Sequence, residues 1–540
     1  MWSFPCVLQA AWAQLACSRS PEDAVVTTAP RNWPETIPAA AQAAAERWPD
    51  APALVAGGAS WSFVELWADA RAAASAMLAC GVGRGDRIGV WGPNSREWIL
   101  AALGAHCLGA AIVPLNTRFK GSEAADILRR SRAKLLFAPG DFLGQDYAAL
   151  LAGENLPELA EIIRLDGGWD PFVSRGQGAE DPAVSTALAA LSGDDVSDII
   201  FTSGTTGRPK GALTAHRQVT ATFGNWADRV DLREGDRYLI VNPFFHTFGY
   251  KAGWVACLLR GATIVPQPVF DVPETVRLIE KEKISFIPGP PTIYQSLLQE
   301  LAGGKPRDFS SLRVAVTGAA PVAPALVERM RAELRMQNIV NGYGMTECGV
   351  IAMTRQGDDA ETVANTCGYP MPGIEVRCVD DSGQDMPPGE AGEFWVRGHS
   401  VMRGYLDDPA ASAEAVDADG WLHTGDIGTL DERGYLKITD RKKDMFISGG
   451  FNVYPAEVEG LLAAHPAVEV SAVIGVADER MGELGKAFVV LRPGATATAD
   501  ELIAWARQNM ANYKVPRLVE IVTELPRNAA GKVLKTELRA

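Results

Sequence analysis

At 540 residues the chain is too long for one hydrophobic core and is expected to divide into at least two domains. Its 47% hydrophobic and 22% charged content is that of an ordinary soluble globular protein. A net charge of −15 argues against a nonspecific nucleic-acid or anionic-membrane surface.

The apolar stretch Phe4–Cys17 comes first. It has no basic leading segment, is broken by Gln9 and Gln14, and is too short to span a bilayer, so residues 1–30 read as a weakly ordered extension. No later run is long enough to be a membrane span. Eight scattered cysteines without CxxC spacing or Cys/His clusters fit reduced thiols in a cytoplasmic protein, not a disulfide framework or zinc site. The ending Leu538-Arg539-Ala540 is no peroxisomal address.

From about residue 32 to Asp440, strand-like and helix-like segments alternate. Arg87–Trp91 reads as a strand, Asn94 or Ser95 caps a helix to about Leu108, and Ala111–Pro114 is the next strand. Tyr238–Val241, a helix over Lys251–Leu259 and Ala262–Val265 repeat that logic. Val314–Thr317 leads to a helix with Pro324 in its first turn and a stripe of Leu326, Val327, Met330 and Leu334. Such units predict an α/β protein: a large N-terminal domain (31–440) of helix-covered, largely parallel sheets, with sites at the carboxyl ends of strands. After Asp440 the texture changes. A helix from Pro455, strands near Val468–Val476 and Ala487–Leu491, and a helix over Asp500–Met510 predict a small α+β C-terminal domain over 441–540.

The run Ile199-Ile200-Phe201 reads as a strand entering the loop Thr202-Ser-Gly-Thr-Thr-Gly-Arg-Pro-Lys-Gly211. Glycines let backbone N–H groups approach an anion, and hydroxyls and an ammonium add donors, so the loop is a candidate phosphate cradle. It is not a Walker A loop, because Lys210 is followed by Gly211 and not by Ser or Thr. Six further segments carry candidate chemistry: Pro243–His246, Gly318–Pro321, Asn341–Glu347, Trp421–Asp426, Asp440-Arg441 with Gly449-Gly450, and Pro526–Lys532.

In this order, these segments resemble the adenylate-forming superfamily of acyl-CoA synthetases, aryl-CoA ligases, firefly luciferase and peptide-synthetase adenylation domains. The resemblance runs from about residue 32 to the end. It implies that a carboxylic acid is joined to the α-phosphate of ATP with loss of pyrophosphate, and that the acyl group then passes to a thiol. It places Thr202, Ser203, Gly204, Thr205, Thr206 and Lys210 on the β- and γ-phosphates and Glu347 on Mg²⁺. Gly318, Ala319 and Ala320, with Asn341, Gly342, Tyr343 and Gly344, flank the adenine. Thr346 meets the α-phosphate, and Asp426 and Arg441 reach the ribose. Lys532 is implied as the adenylating residue, bridging the attacking carboxylate and the α-phosphate. Where the family's lysine motif carries Ser or Thr, this chain has Asn528 and Ala529.

The resemblance further implies a rotation of the C-terminal domain about a hinge at Lys443. That rotation brings Ser448, Gly449 and Gly450 to the adenylate as a tunnel for pantetheine. His246, with Phe248 and Gly249, maps to the acyl pocket. Amino-acid-activating relatives place an aspartate near residues 244–247. Here that place reads Phe-Phe-His-Thr, so an acid without an ammonium is expected. Eight residues follow Lys532, which makes free coenzyme A the expected acceptor over a carrier protein. ATP, Mg²⁺, coenzyme A and a small carboxylic acid are the expected partners, with no nucleic acid and no membrane span; a homodimer is left open. Asn242–Lys251, Gly289–Gln295 and Gly449–Pro455 resemble a narrower group, the actinobacterial CoA ligases of the hydrindanedione-propanoate left from steroid rings. A medium-chain fatty or aryl acid is the alternative.

Overall fold

The computed structural model describes residues 32–202, 209–304, 306–318, 322–380, 382–441, 446–453, 455–526, 533 and 535–539. The extension at 1–30 lies outside the described residues, as do Ser203, Gly204, Thr205, Thr206, Ala319, Ala320, Lys443 and Lys532; of Arg441 only the backbone is described.

Alternating strands and helices return the chain repeatedly to the same side, which makes neighbouring strands parallel. Two sheets result. The larger runs in the order Tyr369–Pro370, Gly349–Met353, Asn338–Met345, Val314–Gly318, Phe286–Pro288, Arg237–Ile240, Thr263–Pro266, Pro52–Ala56 and Ala59–Ser62. Its middle strands are parallel and its outer pairs antiparallel. The second runs Lys210–Ala215, Val196–Thr202, Ala111–Pro114, Arg87–Val90, Leu135–Ala138 and Glu161–Arg164, parallel except at Lys210–Ala215.

One core joins the two sheets: Leu54, Ile264 and Phe286 of the first share it with Ile88, Ile112 and Phe137 of the second. Helices Phe63–Ala79 and Arg96–Cys107 lie in that core. The second is buried without a break from Trp98 to Cys107, as a helix with apolar side chains all round must be. Ser95 caps it, its hydroxyl accepting from Trp98 N at 3.1 Å. Pro324 opens the helix Pro324–Ala332, and Leu326, Val327, Met330 and Leu334 are all buried.

Two expectations change. The alternation does not continue to Asp440: Ile374–Val379, Gly392–Gly398, Leu422–Leu430 and Leu436–Arg441 form an antiparallel sheet. Short turns join the first pair and the last pair of these strands, which makes them antiparallel, whereas the 399–421 connection holds helix Pro409–Ala415 and still joins antiparallel strands. The segment expected as a helix from Lys251 begins instead as a π-turn over Tyr250–Val255, and the α-helix resumes at Ala256–Arg260. Gly253, at φ −89° and ψ −106°, breaks the regular turn, and all six residues of the π-turn are buried.

The small C-terminal domain is a sheet of Phe451–Val453, Phe446–Ser448, Gly482–Leu491 and Val468–Asp478, with Leu518–Ile521 added parallel to Gly482–Leu491. Helices Pro455–Leu462 and Ala499–Asn509 contribute Val458, Leu462, Leu502 and Ala506 to its core. Among the described residues no helix is long and apolar enough to cross a membrane.

Candidate active site

Strands Val196–Thr202 and Lys210–Ala215 pair antiparallel with Thr202 opposite Lys210, which pins the two ends of the candidate phosphate loop together. The loop leaves the carboxyl end of its strand, and the parallel neighbour Ala111–Pro114 ends at the same edge. Glu347, 8% exposed, arrives from the turn between Asn338–Met345 and Gly349–Met353 of the other sheet. Its Oε1 accepts from Thr202 Oγ1 at 3.3 Å and from the Tyr405 hydroxyl at 2.9 Å. The Lys210 ammonium lies 5.2 Å from the Tyr405 ring centroid. Thr202, Lys210 and Glu347 therefore converge, as read from the sequence. Tyr405 joins them without having been singled out, since a tyrosine after a glycine carries no periodic or spacing signal.

On the adjoining side, Thr317 and Gly318 lie opposite Asn341 and Gly342 in parallel register. Asn341 is fixed by its N–H donating to Thr354 Oγ1 at 2.8 Å and its amide donating to Thr366 O at 2.9 Å. The Tyr343 hydroxyl donates to Asp426 Oδ2 at 2.6 Å. Burial, and then the Asp426 carboxylate, hold the Tyr343 hydroxyl well above its ordinary pKa, so it stays a donor at neutral pH. The backbone of Arg441 lies opposite that of Asp426 in the register of strands Leu422–Leu430 and Leu436–Arg441. Gly344 is exposed and Thr346 half-buried at the turn that carries Glu347.

The acid side is built on Asn94, 3% exposed. Its amide donates to the carbonyls of Ile240, Asn242 and Gln267 at 3.1, 2.9 and 3.3 Å, and its Oδ1 accepts from Phe244 N at 2.7 Å. One side chain thus ties the turn after Arg87–Val90 to the segment leading to His246. Sequence reading assigned Asn94 only a helix cap. Gly249 fits here because a Cβ would stand 2.2 Å from Pro243 O and 2.3 Å from Asn242 O. His246 is exposed, at the start of the short helix Thr247–Gly249. Its Nδ1 accepts from Phe248 N at 3.3 Å. Desolvation, with the nearby Lys251 ammonium, holds the imidazole below its ordinary pKa. Neutral His246 therefore carries its proton on Nε2. Behind it, Trp98, Phe244, Tyr250 and Trp254 pack with ring centroids 5.1–6.3 Å apart.

Near His246 lies a buried ion pair. Lys251 Nζ stands 2.8 Å from Asp198 Oδ1, with side chains 3% and 0% exposed. The contact is ionic without hydrogen-bond alignment; Lys251 Nζ donates instead to Thr214 Oγ1 at 3.1 Å, and Asp198 Oδ2 accepts from Ser197 Oγ at 2.8 Å. Asp198 sits on the strand that enters the phosphate loop, and Lys251 on the π-turn after His246. The pair couples the two halves of the site.

In the C-terminal domain, Phe446–Ser448 and Phe451–Val453 form a hairpin closed by Gly449 and Gly450, at φ +58° and +82°. Positive φ at both positions is what a two-residue type I′ connection requires. Phe451 stacks on Tyr513 at 4.8 Å, and the Arg118 guanidinium lies 4.2 Å from the Phe451 centroid. Arg118 follows strand Ala111–Pro114, so the hairpin docks on the sheet edge that carries the phosphate loop.

Comparison with known proteins identifies the family. The AMP-binding enzyme family model matches residues 41–406, and the AMP-binding enzyme C-terminal domain matches 457–532. A 3-[(3aS,4S,7aS)-7a-methyl-1,5-dioxo-octahydro-1H-inden-4-yl]propanoyl:CoA ligase of Mycobacterium tuberculosis is 52% identical, over 93% of this chain and 98% of its own length. A ligase of the same name from Rhodococcus jostii is 48% identical over 94% and 98%. The solved structure of o-succinylbenzoate CoA synthetase from Bacillus subtilis, bound with a product analogue, superposes with a TM-score of 0.78 at 29% identity, covering 93% of this chain and 98% of that one. A chain matched along nearly its whole length by such relatives, with Thr202, Lys210, Glu347 and Tyr405 converging as described, belongs to the AMP-binding enzymes as an ATP-dependent, AMP-forming acid–CoA ligase.

Proposed function

We propose that the acid is a compact bicyclic propanoate of the hydrindanedione type. The observation that carries this reading is full-length identity of 52% and 48% to two ligases named for such an acid. The wall around His246 is compatible with it: residues 243–249 hold no carboxylate to receive an ammonium, and the side chains behind them are aromatic.

In the first half-reaction a carboxylate oxygen attacks the α-phosphorus of ATP, the bond to the β-phosphate oxygen breaks, and pyrophosphate leaves with the electron pair. Thr202, Ser203, Thr205, Thr206 and Lys210 hold the departing phosphates, and Lys532 spans carboxylate and α-phosphate as charge develops there. Tyr343 and Asp426 act as one unit on the nucleoside, Asp426 accepting from the ribose while Tyr343 fixes its orientation. Glu347 fits Mg²⁺, because a hard carboxylate beside a phosphate loop is the donor set that ion takes together with substrate phosphates. When bound, Mg²⁺ offsets phosphate charge. In the second half-reaction the thiol sulfur of coenzyme A attacks the acyl carbon, the carbon–oxygen bond to AMP breaks, and the thiol proton is released. Rotation of residues 441–540 about Lys443 exchanges Lys532 for the Ser448–Gly450 hairpin between the two steps. The enzyme acts in the cytoplasm.

The test is a panel of acids with ATP, Mg²⁺ and coenzyme A, following AMP and thioester. A bicyclic propanoate is expected to exceed octanoate and ferulate in kcat/KM by about tenfold or more. Preference for octanoate or ferulate would overturn the assignment, and turnover only with a holo-carrier protein would overturn coenzyme A as acceptor.

Gly450→Leu bears on the hairpin separately. No atom of the described residues lies within 4 Å of a Cβ at this position, so a larger side chain would project into the space assigned to the pantetheine arm, and at φ +82° it would also strain the hairpin turn. Acid-dependent ATP–pyrophosphate exchange is expected to persist while thioester formation falls by about 10²-fold. Loss of exchange would count against the tunnel.

A further inference from the structure

Lys514 is a buried cation shared between the two domains, and its contacts are asymmetric. Its side chain is 4% exposed, and Nζ donates to Glu457 Oε1 and to Glu123 Oε1, each at 2.7 Å. Glu457 belongs to helix Pro455–Leu462 of the C-terminal domain, whereas Glu123 is in helix Gly121–Ser131 of the large domain. Desolvation opposes the charge on Lys514, but Tyr513 and the two carboxylates outweigh it and hold the ammonium above its ordinary pKa.

Glu457 already answers the charge of Lys514 within its own domain. The cluster has one cation for two carboxylates, and Glu457 Oε2 is buried without a hydrogen-bond partner. The Glu123 contact is therefore surplus to the fold of the C-terminal domain. It is also surplus to helix Gly121–Ser131, whose N-terminus uses the other Glu123 oxygen, Oε2, to accept from Lys120 N at 2.8 Å. What the surplus contact does is dock one domain on the other. It does so beside the Gly449–Gly450 hairpin, since Tyr513, next to Lys514, stacks on Phe451, and Asn116 reaches the Tyr513 hydroxyl from the large domain at 3.5 Å.

We propose that Lys514 is a positioning residue for the thioester-forming half-reaction, bracing the Gly449–Gly450 hairpin against Glu123 at the edge that carries the phosphate loop. This rests on the two-step reading above. Lys514 touches no reacting atom. It sets how long, and in what position, the hairpin stays where the sulfur must reach the acyl carbon, and adenylation does not use the contact.

The test uses the full-length chain and Glu123→Gln, in which the amide oxygen preserves the bond to Lys120 N and Lys514 keeps Glu457. Acid-dependent ATP–pyrophosphate exchange is measured beside single-turnover transfer from enzyme-bound acyl-adenylate to coenzyme A at several coenzyme A concentrations. Exchange should stay within about twofold, and the maximal transfer rate should fall by about tenfold or more. Glu123→Asp, one methylene too short to span the gap, should show the same split, and thermal melting of both variants reports on folding. Unchanged transfer in either variant, or exchange and transfer falling by the same factor, overturns the proposal. If the wild-type chain itself shows neither exchange nor transfer with any acid, the two-step reading fails, which is a different outcome from intact wild-type steps that Glu123→Gln leaves untouched.

Discussion

Lys532→Ala should lower acid-dependent ATP–pyrophosphate exchange by about 10²–10³-fold, the cost of removing one positioned donor from a developing charge. The same variant should convert supplied acyl-adenylate and coenzyme A to thioester at close to the wild-type rate. The asymmetry follows from where charge accumulates. In adenylation an anionic carboxylate approaches an anionic phosphate, and an ammonium between them acts most strongly in the transition state. In thioester formation the nucleophile is sulfur and the leaving group is AMP, and by the rotation reading Lys532 has left the site. Exchange and transfer measured on one preparation decide it. Loss of both in a folded variant, judged by its melting temperature, would remove Lys532 from its assigned role. The prediction rests on the order of motifs ending in Pro526–Lys532, in which Asn528 and Ala529 replace the usual hydroxyl residues while Gly531-Lys532 is intact.

Lys251→Met should destabilise the large domain by about 3–5 kcal/mol, because it leaves the Asp198 carboxylate buried without its counter-charge. The Ser197 hydroxyl and the field of neighbouring dipoles do not replace an ammonium 2.8 Å away. Adding Asp198→Asn should restore part of the loss, since the buried charge is then gone from both sides. Thermal melting of the two single variants and the double variant gives the coupling directly. Additive losses would show that the pair is not a unit. Activity should follow a different course from stability. The double variant, even if refolded to near wild-type stability, should show a raised KM for ATP, because Asp198 precedes the phosphate loop by one short strand segment and Lys251 anchors the His246 segment to it.

Much of the architecture was legible. Short strands bounded by glycine and proline, alternating with alanine-rich helices capped by Ser95 or begun at Pro324, predict parallel sheets, and the sheets are there. The antiparallel sheet from Ile374 to Arg441 was not read, because strand composition does not signal pairing direction and the helix-bearing connection 399–421 imitates a crossover. The π-turn at Tyr250–Val255 was missed for a related reason. Helical periodicity over Lys251–Leu259 is satisfied by either turn, and Gly253 breaks the regular one only in the context of a fully buried segment.

The sequence by itself determined the reaction class. It did so through the resemblance of the ordered motif set, Thr202–Gly211, Asn341–Glu347 and Pro526–Lys532 among them, to the adenylate-forming superfamily, since each short motif alone is no more than a turn or loop. Only the tertiary structure decided which polar residues meet. Asn94 holds the backbone at Asn242 and Phe244, Tyr405 reaches Glu347, Lys251 faces Asp198, and Lys514 spans to Glu123. The physical reason is the same in each case. A polar side chain buried away from water must find a partner, but nothing in its neighbours along the chain says which residue, tens to hundreds of positions away, that partner will be.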